Sequence, residues 1–246
     1  MKPVLHFYVT YFLCLTLGVL CVVFVLYWNT TWRGGFAWDG SAHQFNWHPV
    51  MMVTGLVVLY GNAAVLYRIP STWAKKKQPW KLLHAGLLFL ALLLSVLGLC
   101  AAFDFHNANH IPNLYSLHSW VGISTTAFFT FQWVLGLTAF LLPCSPITFR
   151  KLVKPVHVWM GSIIFVMSVA SCLTGINEKL IFISQGKTNA TQRYPALPPE
   201  YVFANILGVL ILAFGLVVLK ILLNQRWQRP EEGHNENTRL LAVEHS

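Results

Sequence analysis

Charge is what this sequence has least of. Only 10% of its 246 residues are Asp, Glu, Lys or Arg, against 56% hydrophobic, and the mean hydropathy is +0.57. A water-soluble domain of this length could not bury so much apolar surface, so the composition excludes the soluble classes and makes lipid part of the solvent. Acidic residues are scarcest, eight in all. None falls in the middle of an apolar run, which argues against a carrier working through midplane carboxylates. The five cysteines, Cys14, Cys21, Cys100, Cys144 and Cys172, share no repeated spacing and define neither a disulfide framework nor a thiolate metal site. No Gly-x-Gly-x-x-Gly occurs, and there is no room for a flavin or dinucleotide domain.

What the sequence has is long apolar runs. Six reach the ~20 residues that cross a bilayer: Val4 to Trp28, Trp47 to Tyr67, Leu82 to Phe103, Leu117 to Leu142, Val156 to Leu173 and Val202 to Leu223. The first is too evenly apolar for a signal peptide and no small-residue cleavage site follows it, so it reads as a retained helix. The expected fold is an all-α, integral membrane bundle of six transmembrane helices over residues 1–228, with a polar cytosolic tail over 229–246.

The net charge of +9 reports topology, not nucleic acid. Six spans put both termini on one side, together with Lys2, Arg68, Lys75, Lys76, Lys77, Lys81, Arg150, Lys151, Lys154, Lys220, Arg226, Arg229 and Arg239. The other side keeps Arg33, Lys179, Lys187 and Arg193. The positive-inside bias assigns the termini to the cytosol. The connections read as Arg68 to Lys81 and Pro143 to Pro155 on that side, and Asn29 to Asn46, Asp104 to Ser116 and Gly175 to Tyr201 opposite. Two sequons, at Asn29 and Asn189, fall on the lumenal side, where glycosylation occurs; Asn29 abuts a helix end. In the tail, Glu236 followed by Leu240 and Leu241 fits the acidic dileucine pattern, an address read by a clathrin adaptor.

Four histidines stand at helix mouths, where an ionisable group is costly and usually functional. His48 and His118 begin runs two and four, which descend from the lumen; His84 and His157 begin runs three and five, which rise from the cytosol. The result is two depth-matched pairs, one near each surface. Facing imidazoles in a helix bundle supply the ligands above and below a haem plane. No Cys-x-x-Cys-His is present, so such a haem is held without thioether bonds. With each pair one or two turns inside its own surface, the two irons would lie roughly 15–20 Å apart. His6, His43, His110, His234 and His245 lack a partner at their depth. The alternative of another class is a transporter whose histidines bind metal or relay protons.

Two segments carry a family resemblance: Asn113-Leu114-Tyr115-Ser116-Leu117-His118-Ser119-Trp120 and Ala63-Ala64-Val65-Leu66-Tyr67-Arg68. Both resemble motifs of the cytochrome b561 family, over runs two to five, and the dileucine tail looks most like its lysosomal or late-endosomal branch. The resemblance implies two non-covalent b haems, His48 and His118 binding the lumenal one and His84 and His157 the cytosolic one. It implies haem or propionate contacts from Arg68, Lys77, Arg150, Asn113, Tyr115, Ser116 and Glu178. It implies cytosolic ascorbate at Lys77, Lys81 and Arg150, a lumenal acceptor at Phe105, His106 and Tyr115, and a homodimer. The implied activity is electron transfer from ascorbate to a ferric chelate or to monodehydroascorbate. From the residues alone, Asp104, His106 and His110 also make a cluster able to hold iron. The basic loops would concentrate an anion such as ascorbate.

Overall fold

The computed structural model describes residues 2–186 and 193–230. The sequon at Asn189 and the motif of Glu236, Leu240 and Leu241 lie outside the described residues. Among these residues there is no strand, and six helices are long and apolar enough to cross a membrane: α1 (Lys2–Thr31), α2 (Ala42–Arg68), α3 (Lys77–Ala108), α4 (Leu117–Leu141), α5 (Ile147–Gln185) and α6 (Pro199–Leu223). The end of the bundle holding the start of α1 and the end of α6 is called proximal below, and the other end distal.

The helices α1 and α6 form the dry side of the bundle. On α1, Phe7, Cys14, Cys21 and Trp28 recur every seven residues and are almost wholly buried. On α6, Ala204, Leu207, Ile211, Phe214, Val218 and Ile221 follow the alternating three-and-four spacing of a coiled-coil seam, all at 0% exposure. Next to this seam lies α2, the most enclosed span, with 61% of its apolar window buried against 28–33% for the others. The other five helices each turn much of their surface to lipid, which is why Phe12, Phe131 and Leu152 are exposed without penalty.

Except for α4, which ends one residue short of expectation at Leu141, the helices run further than the sequence reading. The loop expected to end at Pro155 is helical from Ile147, with Pro155 inside α5. Proline removes one backbone donor, and near the end of a 39-residue helix the orphaned carbonyl can be hydrated. At its other end α5 continues to Gln185, past the expected boundary at Gly175. Both α2 and α4 contain a π-helical segment, Val53–Leu59 and Leu137–Leu141, a local widening that recurs at functional sites. One site expectation is corrected here: Asn29 lies within α1, 3% exposed, its amide donated to the Val25 carbonyl. It is not an accessible glycosylation acceptor.

Candidate functional site

At the distal end, His48 on α2 and His118 on α4 face each other, ring centroids 6.0 Å apart and planes nearly perpendicular at 86°. At the proximal end, His84 on α3 and His157 on α5 lie 6.4 Å apart at 66°. Two imidazoles bound to one metal from opposite sides, with bonds of about 2 Å, put their centroids about 6 Å apart. Both pairs therefore have the separation for a shared metal centre. Among the described residues no three His, Cys, Asp or Glu side chains converge on one point, and the two facing pairs fit a metal centre with one imidazole on either side.

Ring orientation comes from the backbone. The Nδ1 of His48 donates to the Gly98 carbonyl on α3 at 3.0 Å, that of His118 to the Ser171 carbonyl on α5 at 2.9 Å, and that of His84 to the Ala63 carbonyl on α2 at 2.9 Å. A carbonyl only accepts, so these rings carry their proton on Nδ1 and keep the Nε2 lone pair for a metal. His157 differs: its Nδ1 is buried without a partner. Along α2, the 15 residues from His48 to the Ala63 anchor separate the two levels by about 20 Å. Between them the bundle is packed with Tyr60, Phe129 and Phe165, all buried.

Glycine makes room for two of the rings. A Cβ on Gly175 of α5 would stand 2.7 Å from Cε1 of His118, and one on Gly136 of α4 would stand 2.8 Å from Cε1 of His157. No side chain larger than hydrogen fits at either position unless the imidazole moves.

A cavity of about 430 Å³ opens beside the distal pair. Every distal haem or acceptor residue implied by the family resemblance lines it: Phe105, His106, Asn113, Tyr115, Ser116 and Glu178 with His48 and His118. His106 shares a hydrogen bond between its Nδ1 and Asn113 Oδ1 at 3.1 Å and stacks parallel to Phe45. Ser116 also has a local task, capping α4 reciprocally with Ser119. Burial and the neighbouring carboxylate of Glu178 push the Tyr115 hydroxyl above its ordinary pKa, so it stays protonated and can donate. The proposed trio of Asp104, His106 and His110 does not assemble. Asp104 accepts from Gln44 at 3.0 Å, and His110 is exposed at a left-handed turn. Sequence reasoning missed three cavity residues, Arg33, Phe45 and Lys179.

At the proximal end the expected basic residues converge on the C-terminus of α4. Lys81 donates to the Phe140 carbonyl at 3.4 Å and Arg150 to the Leu142 carbonyl at 3.0 Å, a favourable place for cations. The charges of Arg150 and Lys77 both act on Lys81. Arg150 Nε is buried without a partner. Arg68 turns instead to the Asn224 carbonyl, at 3.3 Å. The described carboxylates, Asp39, Asp104, Glu178 and Glu200, all belong to the distal half, so this cluster of cations is suited to an anion from outside.

Comparison with known proteins agrees with this geometry. The family model for eukaryotic cytochrome b561 matches residues 47–183, which hold all four histidines. A zebrafish (Danio rerio) protein named lysosomal membrane ascorbate-dependent ferrireductase CYB561A3 is 65% identical over 96% of each chain; the human (Homo sapiens) protein of that name is 52% identical over 93% of each. A Xenopus laevis protein named plasma membrane ascorbate-dependent reductase CYBRD1 is 45% identical over 89% of this chain and 75% of its own. With two facing histidine pairs in one bundle, a family match over more than half its length and relatives aligned nearly end to end, this chain belongs to the eukaryotic cytochrome b561 family.

Proposed function

We propose that this protein is a transmembrane ascorbate-dependent ferrireductase, taking single electrons from ascorbate at the proximal, cytosolic end and delivering them to ferric iron at the distal, lumenal end. Two non-covalent b haems are its resident carriers, and bound haem supplies the one-electron redox change. The observation that carries the reading is the two imidazole pairs, three of whose rings have Nδ1 tied to backbone and Nε2 free for iron. His48 and His118 would hold the lumenal group, and His84 and His157 the cytosolic one. The names of the zebrafish and human relatives support both the donor and the acceptor, and support a lysosomal membrane as location.

The chain's own residues account for the rest. Ascorbate is a monoanion near neutral pH, and Lys77, Lys81 and Arg150 form a cationic cluster that attracts and orients it. It leaves as monodehydroascorbate, having lost one electron and one proton, the proton passing to cytosolic water. Arg68, at the neighbouring mouth of α2, adds positive charge for haem carboxylates. At the lumenal end Phe105, His106 and Tyr115 flank the acceptor, Asn113 fixes the His106 ring, and ferric iron leaves as ferrous. The charge bias supports cytosolic termini, and with them an adaptor-read tail. The homodimer expected by resemblance belongs to the same proposal.

The test is haem reduction by stopped flow in proteoliposomes, with ascorbate on one side and a ferric chelate or monodehydroascorbate opposite. Replacing His84 or His157 with Leu is expected to abolish one b-type signal while the other survives; replacing His48 or His118 abolishes the other. Four replacements that each leave both signals intact would overturn the ligand assignment. Reduction of monodehydroascorbate but of no ferric chelate would overturn the acceptor.

A further inference from the structure

The distal cavity holds a charged group with no assigned task. Lys179 lies on α5, and Ser171, Gly175 and Lys179 follow one another at intervals of four, so they share one face of that helix. Ser171 gives His118 its carbonyl anchor and Gly175 abuts the His118 ring. Lys179 is one turn further toward the distal mouth. Its ammonium does not snorkel away to bulk water, as a lysine at a helix end ordinarily does. It sits 4.4 Å over the ring of Phe45, and both residues line the cavity.

The nearby carboxylates have hydrogen-bond partners or neighbours of their own, and Glu200 reaches Lys179 through its charge alone. Glu200 on α6 accepts from Arg33 at 2.7 Å and from the Trp28 indole at 2.9 Å. The carboxylate of Glu178 lies beside the Tyr115 hydroxyl. Arg33, also in the cavity wall, has its Nε buried without a partner. A lysine ammonium held against an aromatic ring retains donors that a ring face cannot satisfy in full, and a guanidinium nitrogen is left over beside it. Both needs are met by one kind of ligand, an anion with several acceptor oxygens entering the cavity.

We propose that Lys179, assisted by Arg33, is the carboxylate-binding residue of the distal cavity and sets its preference for anionic ligands. This rests on the ferrireductase reading and deepens it. The carboxylate has two possible sources of the same chemistry: the propionate of the haem held by His48 and His118, or the ligand shell of a carboxylate-chelated ferric ion.

The test uses the full-length, haem-loaded protein and its Lys179→Gln and Lys179→Arg variants, each checked for haem content. Two quantities are measured: the midpoint potential of the distal haem, and KM for ferric citrate and for an uncharged ferric trihydroxamate. Loss of a charge-assisted contact predicts a rise of about tenfold in KM. If the chelate supplies the carboxylate, Lys179→Gln raises KM for ferric citrate alone and leaves the potential in place. If the haem supplies it, the potential falls, because a cation that favoured the electron is gone, and the two chelates respond alike. In either case Lys179→Arg stays within about twofold of the parent, since the charge is retained. An unchanged Lys179→Gln variant overturns the inference. So does a Lys179→Arg variant as impaired as Lys179→Gln, which would make the role one of packing on Phe45. A parent protein that reduces neither chelate overturns the ferrireductase reading instead, and the potential arm still decides for Lys179.

Discussion

The two histidine pairs are alike in spacing and unlike in support. In the distal pair both rings are fixed through Nδ1 by backbone carbonyls, Gly98 for His48 and Ser171 for His118. In the proximal pair only His84 is so fixed, by Ala63, while the Nδ1 of His157 is buried and unpartnered. A ring with an anchor resists displacement, because moving it orphans a buried imidazole donor. A ring without one shifts at little cost. The surroundings differ too: acids, bases and aromatics share the distal cavity, whereas the proximal cluster of Lys77, Lys81 and Arg150 has no described carboxylate at its end of the bundle.

Glycine substitutions test the first difference. Gly175→Ala drives a methyl against an anchored ring and Gly136→Ala drives one against an unanchored ring. Overpacking costs about 1–3 kcal/mol. Distal haem retention is therefore expected to fall about tenfold in Gly175→Ala, while proximal retention in Gly136→Ala falls only about two- to threefold. Difference spectra of the purified variants measure both, and equal losses would remove the distinction between the pairs.

Ionic strength tests the second difference. A cluster of one sign loses attraction as the Debye length shortens from about 10 Å at 0.1 M salt to about 3 Å at 1 M. KM for ascorbate is expected to rise several-fold over that range. KM for an uncharged ferric chelate at the mixed-charge distal end is expected to stay nearly flat. Steady-state rates in proteoliposomes, with salt varied on one side at a time, would show it.

The smallest effect is expected at Tyr115, half exposed at the cavity mouth. Its raised pKa keeps the phenol neutral below and somewhat above its ordinary value of 10.0. Its contribution is therefore a hydrogen bond whose strength does not change between about pH 5 and 9. Tyr115→Phe should raise the acceptor KM about two- to threefold without altering the shape of the pH profile. A new titration in that range would contradict the assignment.

Much of this was legible in the sequence, for identifiable reasons. Hydropathy locates the middle of each span because lipid penalises polar groups there. The depth of His48, His84, His118 and His157 follows from counting residues along helices of alternating direction. What stayed hidden depends on three-dimensional partners. The carbonyls of Gly98, Ser171 and Ala63 carry no signature, since every residue has one. Pro155 reads as a helix stop, but α5 passes through it. Ending α5 at Gly175 left Lys179 in a loop, where its alignment with Ser171 and Gly175 could not be seen. The pairing of Arg33 with Glu200 joins residues 167 positions apart.

The pattern of anchors divides the four histidine-bearing helices into two hairpins. His48 and His84 are each held by the other helix of the α2–α3 hairpin, and His118 is held within the α4–α5 hairpin. Each pair of facing rings, however, takes one histidine from either hairpin. A haem bound at both rings would thus be a staple across the seam between two units that together preorganise three of the four ligands, His157 being the unanchored one. Loading and stability would then be coupled by mass action: each haem bound as proposed would resist separation of the hairpins, and thermal melting would report occupancy.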